Sequence, residues 1–200
     1  MERILEASPR RWARIAGAFY LLNFVAGALS AAFVGGTFGV YGSAANLIAA
    51  GSYVVVTALL YYIFKPVNRS LSLLAAFFSL VGIAIGVLGV FHLSPVPING
   101  LVFFGVYCLL IGYLILRSTF LPRILGALMM FAGLGWLTFL SPPLASQLSP
   151  YNLLPGLLGE GSLTLWLLVV GLNVPRWREQ AGAPGIAMSR NKRSQEAPVR

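Results

Sequence analysis

The chain has 200 residues, of which 58% are apolar and only 10% charged, whereas a typical soluble domain carries about a quarter charged residues. A mean hydropathy of +0.83 places it among membrane proteins, and its net charge of +9 then needs no nucleic-acid partner, because basic residues in such chains mark topology. With one His, one Cys and no Asp, the sequence excludes a Ser-His-Asp triad and a closed zinc site, and it contains no phosphate-binding glycine loop, no H-E-x-x-H and no C-x-x-C. These absences point away from an enzyme and imply neither cofactor nor metal.

In chain order, residues 1–14 form a basic N-terminal segment with Arg3, Arg10, Arg11 and Arg14. A basic stretch followed by an apolar run and the small residues Ala28 to Ala32 also has the plan of a cleavable signal peptide. The run continues through Phe33 and Val34, however, so an uncleaved first span is expected. The twin arginine of SPRRWAR lacks the flanking residues of an export signal and reads as a cytoplasmic anchor.

Three long stretches follow: 50 residues without a formal charge between Arg14 and Lys65, 47 between Arg69 and Arg117, and 52 between Arg123 and Arg176 that contain one acid, Glu160. About 20 helical residues cross a bilayer core of about 30 Å, so each stretch fits an out-and-back pair. The breaks are the Gly-rich segment Gly35 to Asn46, SPVPING (Ser94 to Gly100) and SPPLASQLSPYNLLP (Ser141 to Pro155). Six spans near 15–35, 46–64, 71–92, 101–116, 124–140 and 156–173 make up a transmembrane domain over residues 15–175. The expected fold is all-α: a polytopic membrane protein with six transmembrane helices in a single bundle.

All 14 basic residues fall on one side of this scheme. Four precede the first span, Lys65 and Arg69 join spans two and three, Arg117 and Arg123 join spans four and five, and six, starting with Arg176 and Arg178, follow the last. The asymmetry predicts both termini in the cytoplasm of a bacterial inner membrane, with Arg10, Arg11, Arg14 and the loop cations beside anionic lipid headgroups. Trp12, Tyr61, Tyr62, Tyr113 and Trp177 fall at the same boundary, where amphipathic rings prefer the headgroup level. Residues 176–200 read as a basic, disordered cytoplasmic tail.

Glu160 is the one acid within a span, and intramembrane charges usually face a bundle interior or a wet cavity. It is expected about one turn inside the outer end of span six. His92, at the outer end of span three, lies on the same side, and together with Asn99, Tyr107, Ser162 and Asn46 these residues suggest an outward-opening polar pocket for a proton or small ligand. Cys108 reads as a small buried hydrophobe. Gly82 and Gly86 in span three, and Gly27, Ala31 and Gly35 in span one, have the small-xxx-small spacing of close helix packing. The expectation is that these faces meet within the monomer; a homo-oligomer or another protein partner is the alternative use.

The segments SPRRWARIAGAFYLL, KPVNRSLSLLAAFF, LVFFGVYCLLIGYLILRSTFLPRILGALMMFAGLGWL and LWLLVVGLNVPRW together resemble the bacterial domain-of-unknown-function family 4386, over about residues 8 to 178. The resemblance implies a six-span inner-membrane protein and no particular activity, substrate or cofactor. It also implies that Glu160 stands where members commonly carry Glu. Two positions depart from the pattern: Ser79 where many members have Arg, and Tyr107 where they have His. Two functions follow as expectations: a small-ligand or proton-linked membrane protein using Glu160, or a noncatalytic scaffold or accessory subunit. The first needs Glu160 turned toward other helices beside a cavity with Tyr107 or His92. The second leaves polar residues at the rim.

Overall fold

The structure, a computed structural model, describes residues 9–33, 39–93 and 99–182. Among them, six helices are long and apolar enough to cross a membrane. They are α1 (Pro9–Ala32), α2 (Gly39–Phe64), α3 (Arg69–Val90), α4 (Gly100–Arg117), α5 (Arg123–Leu137, continued by a 3-10 turn to Leu140) and, after the short α6 (Pro142–Leu148), α7 (Leu154–Val169, preceded by a 3-10 turn from Tyr151). An eighth helix, α8 (Val174–Gln180), closes the described chain.

Local chemistry accounts for the ends. Asn68 and Asn99 stand just before α3 and α4, and each side-chain oxygen accepts a backbone N–H of the first turn, from Leu71 and Leu101 respectively, at 3.0 Å. α3 stops where His92 takes a left-handed backbone (φ 56). The N–H groups of His92 and Leu93 then return to the carbonyls of Gly89 and Leu88, closing the helix end.

Each long helix packs against the next in chain order, and α7 closes on α1, so the six form a ring. Its interior holds Tyr20, Val56, Leu60, Phe64, Ile111 and Leu163 among other fully buried side chains. Leu73, Phe77, Leu134, Leu165 and Val169 are exposed. Apolar side chains on the outside as well as the inside are what a lipid solvent permits.

Three expectations change here. α2 begins at Gly39 and not near 46, because the stretch GVYGSAAN continues the helix. The segment after 140 is not plain irregular chain: Ser141 starts α6, with prolines at its first positions, where the missing N–H has no helical partner to lose. The polar C-terminal stretch opens as helix α8. Asn173 accepts the Arg176 N–H, Pro175 occupies the first turn, and the Trp177 indole donates to the Ile63 carbonyl at 3.0 Å. Gln180 accepts the Thr119 N–H and donates to the Arg117 carbonyl. α8 thereby supplies donors to backbone carbonyls that the ends of α2 and α4 cannot satisfy internally. Residues 183–200, with the remaining tail cations, and residues 1–8 lie outside the described residues.

The small-residue seam also differs from the expected pairing of spans one and three. The ring places α2 between α1 and α3. Gly82 instead meets α4, where a Cβ on it would come 2.9 Å from the Gly100 carbonyl oxygen. Gly86 and Gly27 face open space, Ala31 is exposed, and Gly35 lies outside the described residues. A reciprocal seam that repeats along both helices runs between α4 and α5. A Cβ on Gly105 or Gly133 would lie 2.9 or 2.8 Å from the other's carbonyl oxygen, and Gly112 and Gly126 repeat the arrangement at 2.8 Å each way.

Candidate functional site

Glu160 stands midway along the span Tyr151–Val169, deeper than the one turn expected from sequence. It faces inward and is only 2% exposed. Two glycines on its helix make room for this. A Cβ on Gly156 would run into the Trp136 ring, and one on Gly159 into the Leu128 carbonyl, so α7 lies directly against α5. That approach brings the Trp136 indole N–H to Glu160 Oε1 at 2.6 Å.

The other oxygen is served by α1. The Tyr20 hydroxyl donates to Glu160 Oε2 at 3.0 Å and lies 2.8 Å from the Tyr53 hydroxyl of α2. Because a hydroxyl both donates and accepts, the chain Glu160–Tyr20–Tyr53 can reverse direction without moving a heavy atom. Tyr107 of α4 completes the group. Its ring meets the Tyr53 ring edge-on with centroids 5.9 Å apart, and its buried hydroxyl makes no hydrogen bond among the described residues. Phe104 fills the space between, with centroids 4.7 Å from Tyr53 and 6.0 Å from Trp136. One carboxyl therefore gathers side chains from α1, α2, α4, α5 and α7; Tyr20, Tyr53, Tyr107 and Glu160 are buried, while Phe104 and Trp136 are partly so.

The chemistry of this centre is that of a carboxyl held by neutral donors. A carboxylate offers about four acceptor sites, and the bonds to Glu160 come from one phenol and one indole. Lone charge at the membrane centre is costly, about 2.5–3.5 kcal/mol on insertion scales for Asp, Lys or Arg. Among the described residues no group of three His, Cys, Asp or Glu side chains is placed to hold a metal ion.

Of the sequence-derived candidates, the structure brings Glu160 and Tyr107 into one centre. His92 is exposed and serves as the left-handed residue after α3, and Asn99 is the exposed cap of α4. Asn46 and Ser162 are half-buried, and neither bonds to Glu160. Tyr20, Tyr53 and Trp136 were not among the candidates. A signal for the two tyrosines was present: they fall in mid-span, away from the boundary belt that Tyr ordinarily favours. Ser79, one of the two departures from the family pattern, is fully buried and pairs with Thr57 at 2.6 Å. Both departing positions, Ser79 and Tyr107, thus point into the bundle.

Fold and centre together define a polytopic, six-helix membrane protein with a polar core around one acid. The model of the family described as "Domain of unknown function (DUF4386)" matches residues 40–100 and 98–171, and the chain belongs to that family. A relative described as "Uncharacterized protein" from Archaeoglobus fulgidus is 29% identical over 127 residues, covering 59% of this chain and 76% of its own length. No solved structure matches.

Proposed function

We propose that this is a small-ligand-binding or proton-linked membrane protein whose working group is Glu160, seated in a bacterial inner membrane with both termini in the cytoplasm. The observation that carries the reading is an acid at mid-span with one oxygen joined to a chain of two reversible hydroxyls, Tyr20 and Tyr53, and the other held by the Trp136 indole. Tyr20 and Tyr53 can accommodate either protonation state of Glu160, and the unpaired Tyr107 hydroxyl beside them offers a further polar contact to an incoming group. Intramembrane ionisable residues are functional candidates by default, because their cost is rarely tolerated otherwise. The orientation rests on the one-sided distribution of Lys and Arg.

The test is infrared difference spectroscopy of the purified protein in lipid discs during a pH step, together with native mass spectrometry. A carboxylic-acid carbonyl band that responds to pH, is lost in Glu160→Gln and is shifted in Tyr20→Phe is the expected result. A small molecule retained by the wild type and lost in Glu160→Gln supports the binding form. If the wild type and Glu160→Gln give the same spectra and the same mass, the reading fails.

A second reading, a noncatalytic scaffold or accessory subunit, is favoured by one observation. Both oxygens of Glu160 already have donors within the bundle, so the acid also serves as polar glue between helices.

A further inference from the structure

The basic end of the bundle carries a cavity that the Glu160 centre does not use. It measures about 580 Å³ and is walled by Arg10 of α1, Thr119 and Pro122 of the α4–α5 turn, Trp166 and Val170 of α7, and Arg176 of α8. We infer that this cavity binds the phosphate of an anionic phospholipid, with Arg10 and Arg176 as its cationic walls and an acyl chain running along α7. The inference is independent of the role of Glu160.

Three features converge. First, the guanidinium donors are available. The Arg10 guanidinium forms no hydrogen bond or ion pair with the described residues. Arg176 uses one N–H on the Thr119 carbonyl at 3.3 Å, which fixes its position and leaves other N–H groups of the guanidinium fork. The carbonyl at the end of α7 is served by Arg14, which donates to Val169 O. Arg10 instead lays its stem on Gly171, whose left-handed backbone (φ 74) and missing side chain admit it; a Cβ there would lie 3.1 Å from Arg10 Cγ.

Second, α5 begins at the rim of the cavity with Pro122 as its cap residue and no side chain capping it. The first N–H groups and the positive end of the helix dipole add to the field of the two arginines. Third, the wall continues into lipid-facing apolar surface. Val169 and Val170 at the end of α7 are 70% and 42% exposed. A phosphate that carries acyl chains can use this surface and a free anion cannot, which selects the lipid. Position agrees, since basic pockets between helix ends at the cytoplasmic boundary suit anionic headgroups.

The experiment compares dioleoyl phosphatidylglycerol, dioleoyl phosphatidylcholine and inorganic phosphate as additives to the purified full chain, with native mass spectrometry for occupancy and thermal unfolding for stabilisation. Phosphatidylglycerol should be retained and raise Tm, and the other two should do neither. Arg10→Gln should weaken phosphatidylglycerol binding about fivefold, the factor equivalent to ~1 kcal/mol per cation. Arg10→Gln/Arg176→Gln should weaken it further. The pair Arg69→Gln/Arg178→Gln removes the same charge outside the cavity and should bind as the wild type does. Arg10 makes no hydrogen bond or ion pair with the described residues, so the single variant remains informative if the double one misfolds. Equal loss in the control pair would show diffuse attraction instead of a site. Stabilisation by phosphate alone, or equally by phosphatidylcholine, would also overturn the assignment.

Discussion

Glu160 is held by an indole on one oxygen and a phenol on the other, and this asymmetry makes its variants separable. In Glu160→Gln the amide oxygen still accepts from Trp136, while its NH2 donates to the Tyr20 hydroxyl, which turns to donate to Tyr53. The unfolding free energy in detergent is expected to stay within about 1 kcal/mol of the wild type, the scale of one hydrogen bond, while proton exchange at this site disappears. Glu160→Leu strands the Trp136 indole N–H, while the Tyr20 hydroxyl can still donate to Tyr53, and should cost about 1–3 kcal/mol for the donor left without a partner. Trp136→Phe removes the indole N–H while keeping a ring. Its loss of stability should lie near the lower end of that range, because hydrogen bonds between membrane helices average about 0.6 kcal/mol. Thermal unfolding of the three variants side by side checks all three expectations.

At the scale of the helix, glycine acts where backbones touch. Gly105 and Gly112 on α4 face Gly133 and Gly126 on α5, seven residues apart on each helix, so the contact repeats every two turns on the same face. Gly133→Val drives a branched side chain toward the Gly105 carbonyl and the Leu109 side chain. Overpacking of this kind typically costs about 1–3 kcal/mol, and a lowered Tm in detergent is the expected reading. Gly27→Ala makes the opposite case. Nothing stands within 4 Å of its added Cβ, so better helix propensity should leave the monomer unchanged or up to about 1 kcal/mol more stable. A fall in Tm at Gly27→Ala would mean that another chain covers this face. At α8, Asn173→Ala removes the cap that accepts the Arg176 N–H. Caps are worth about 1 kcal/mol, so faster amide exchange confined to residues 174–180 is expected.

Across the whole molecule, the ring fixes which ends belong together. The bond from Arg14 to the Val169 carbonyl ties the beginning of α1 to the end of α7, and those from Trp177 and Gln180 tie α8 to the ends of α2 and α4. Both described termini therefore lie at one end of the bundle, as six crossings require. Since every Lys and Arg among the described residues lies in the segments at that end, a reporter active only in the cytoplasm should function when fused after Arg200. A silent reporter there, with activity from one inserted between residues 93 and 99, would reverse the orientation.

The number of spans, the side on which the charges gather and most helix ends were legible in the sequence, because each depends on local quantities. Hydrocarbon thickness sets the run length, a buried cation is expensive wherever it stands, and Asn68 and Asn99 cap whatever helix follows them. Glu160 and Tyr107 were legible as polar residues in the wrong solvent. Their partners were not, because which face of α1 or α5 turns inward depends on the order of helices around the ring. A seam such as Gly105 against Gly133 is recognisable only when both backbones are placed. Tertiary structure alone decided that Tyr20, Tyr53 and Trp136 surround the acid, and that His92 is an exposed residue ending a helix. It alone decided that the sparse polar stretch after Gly171 begins as a latch across the basic end. In each case the deciding energy is a contact between residues far apart in the chain, which no local property of either residue encodes.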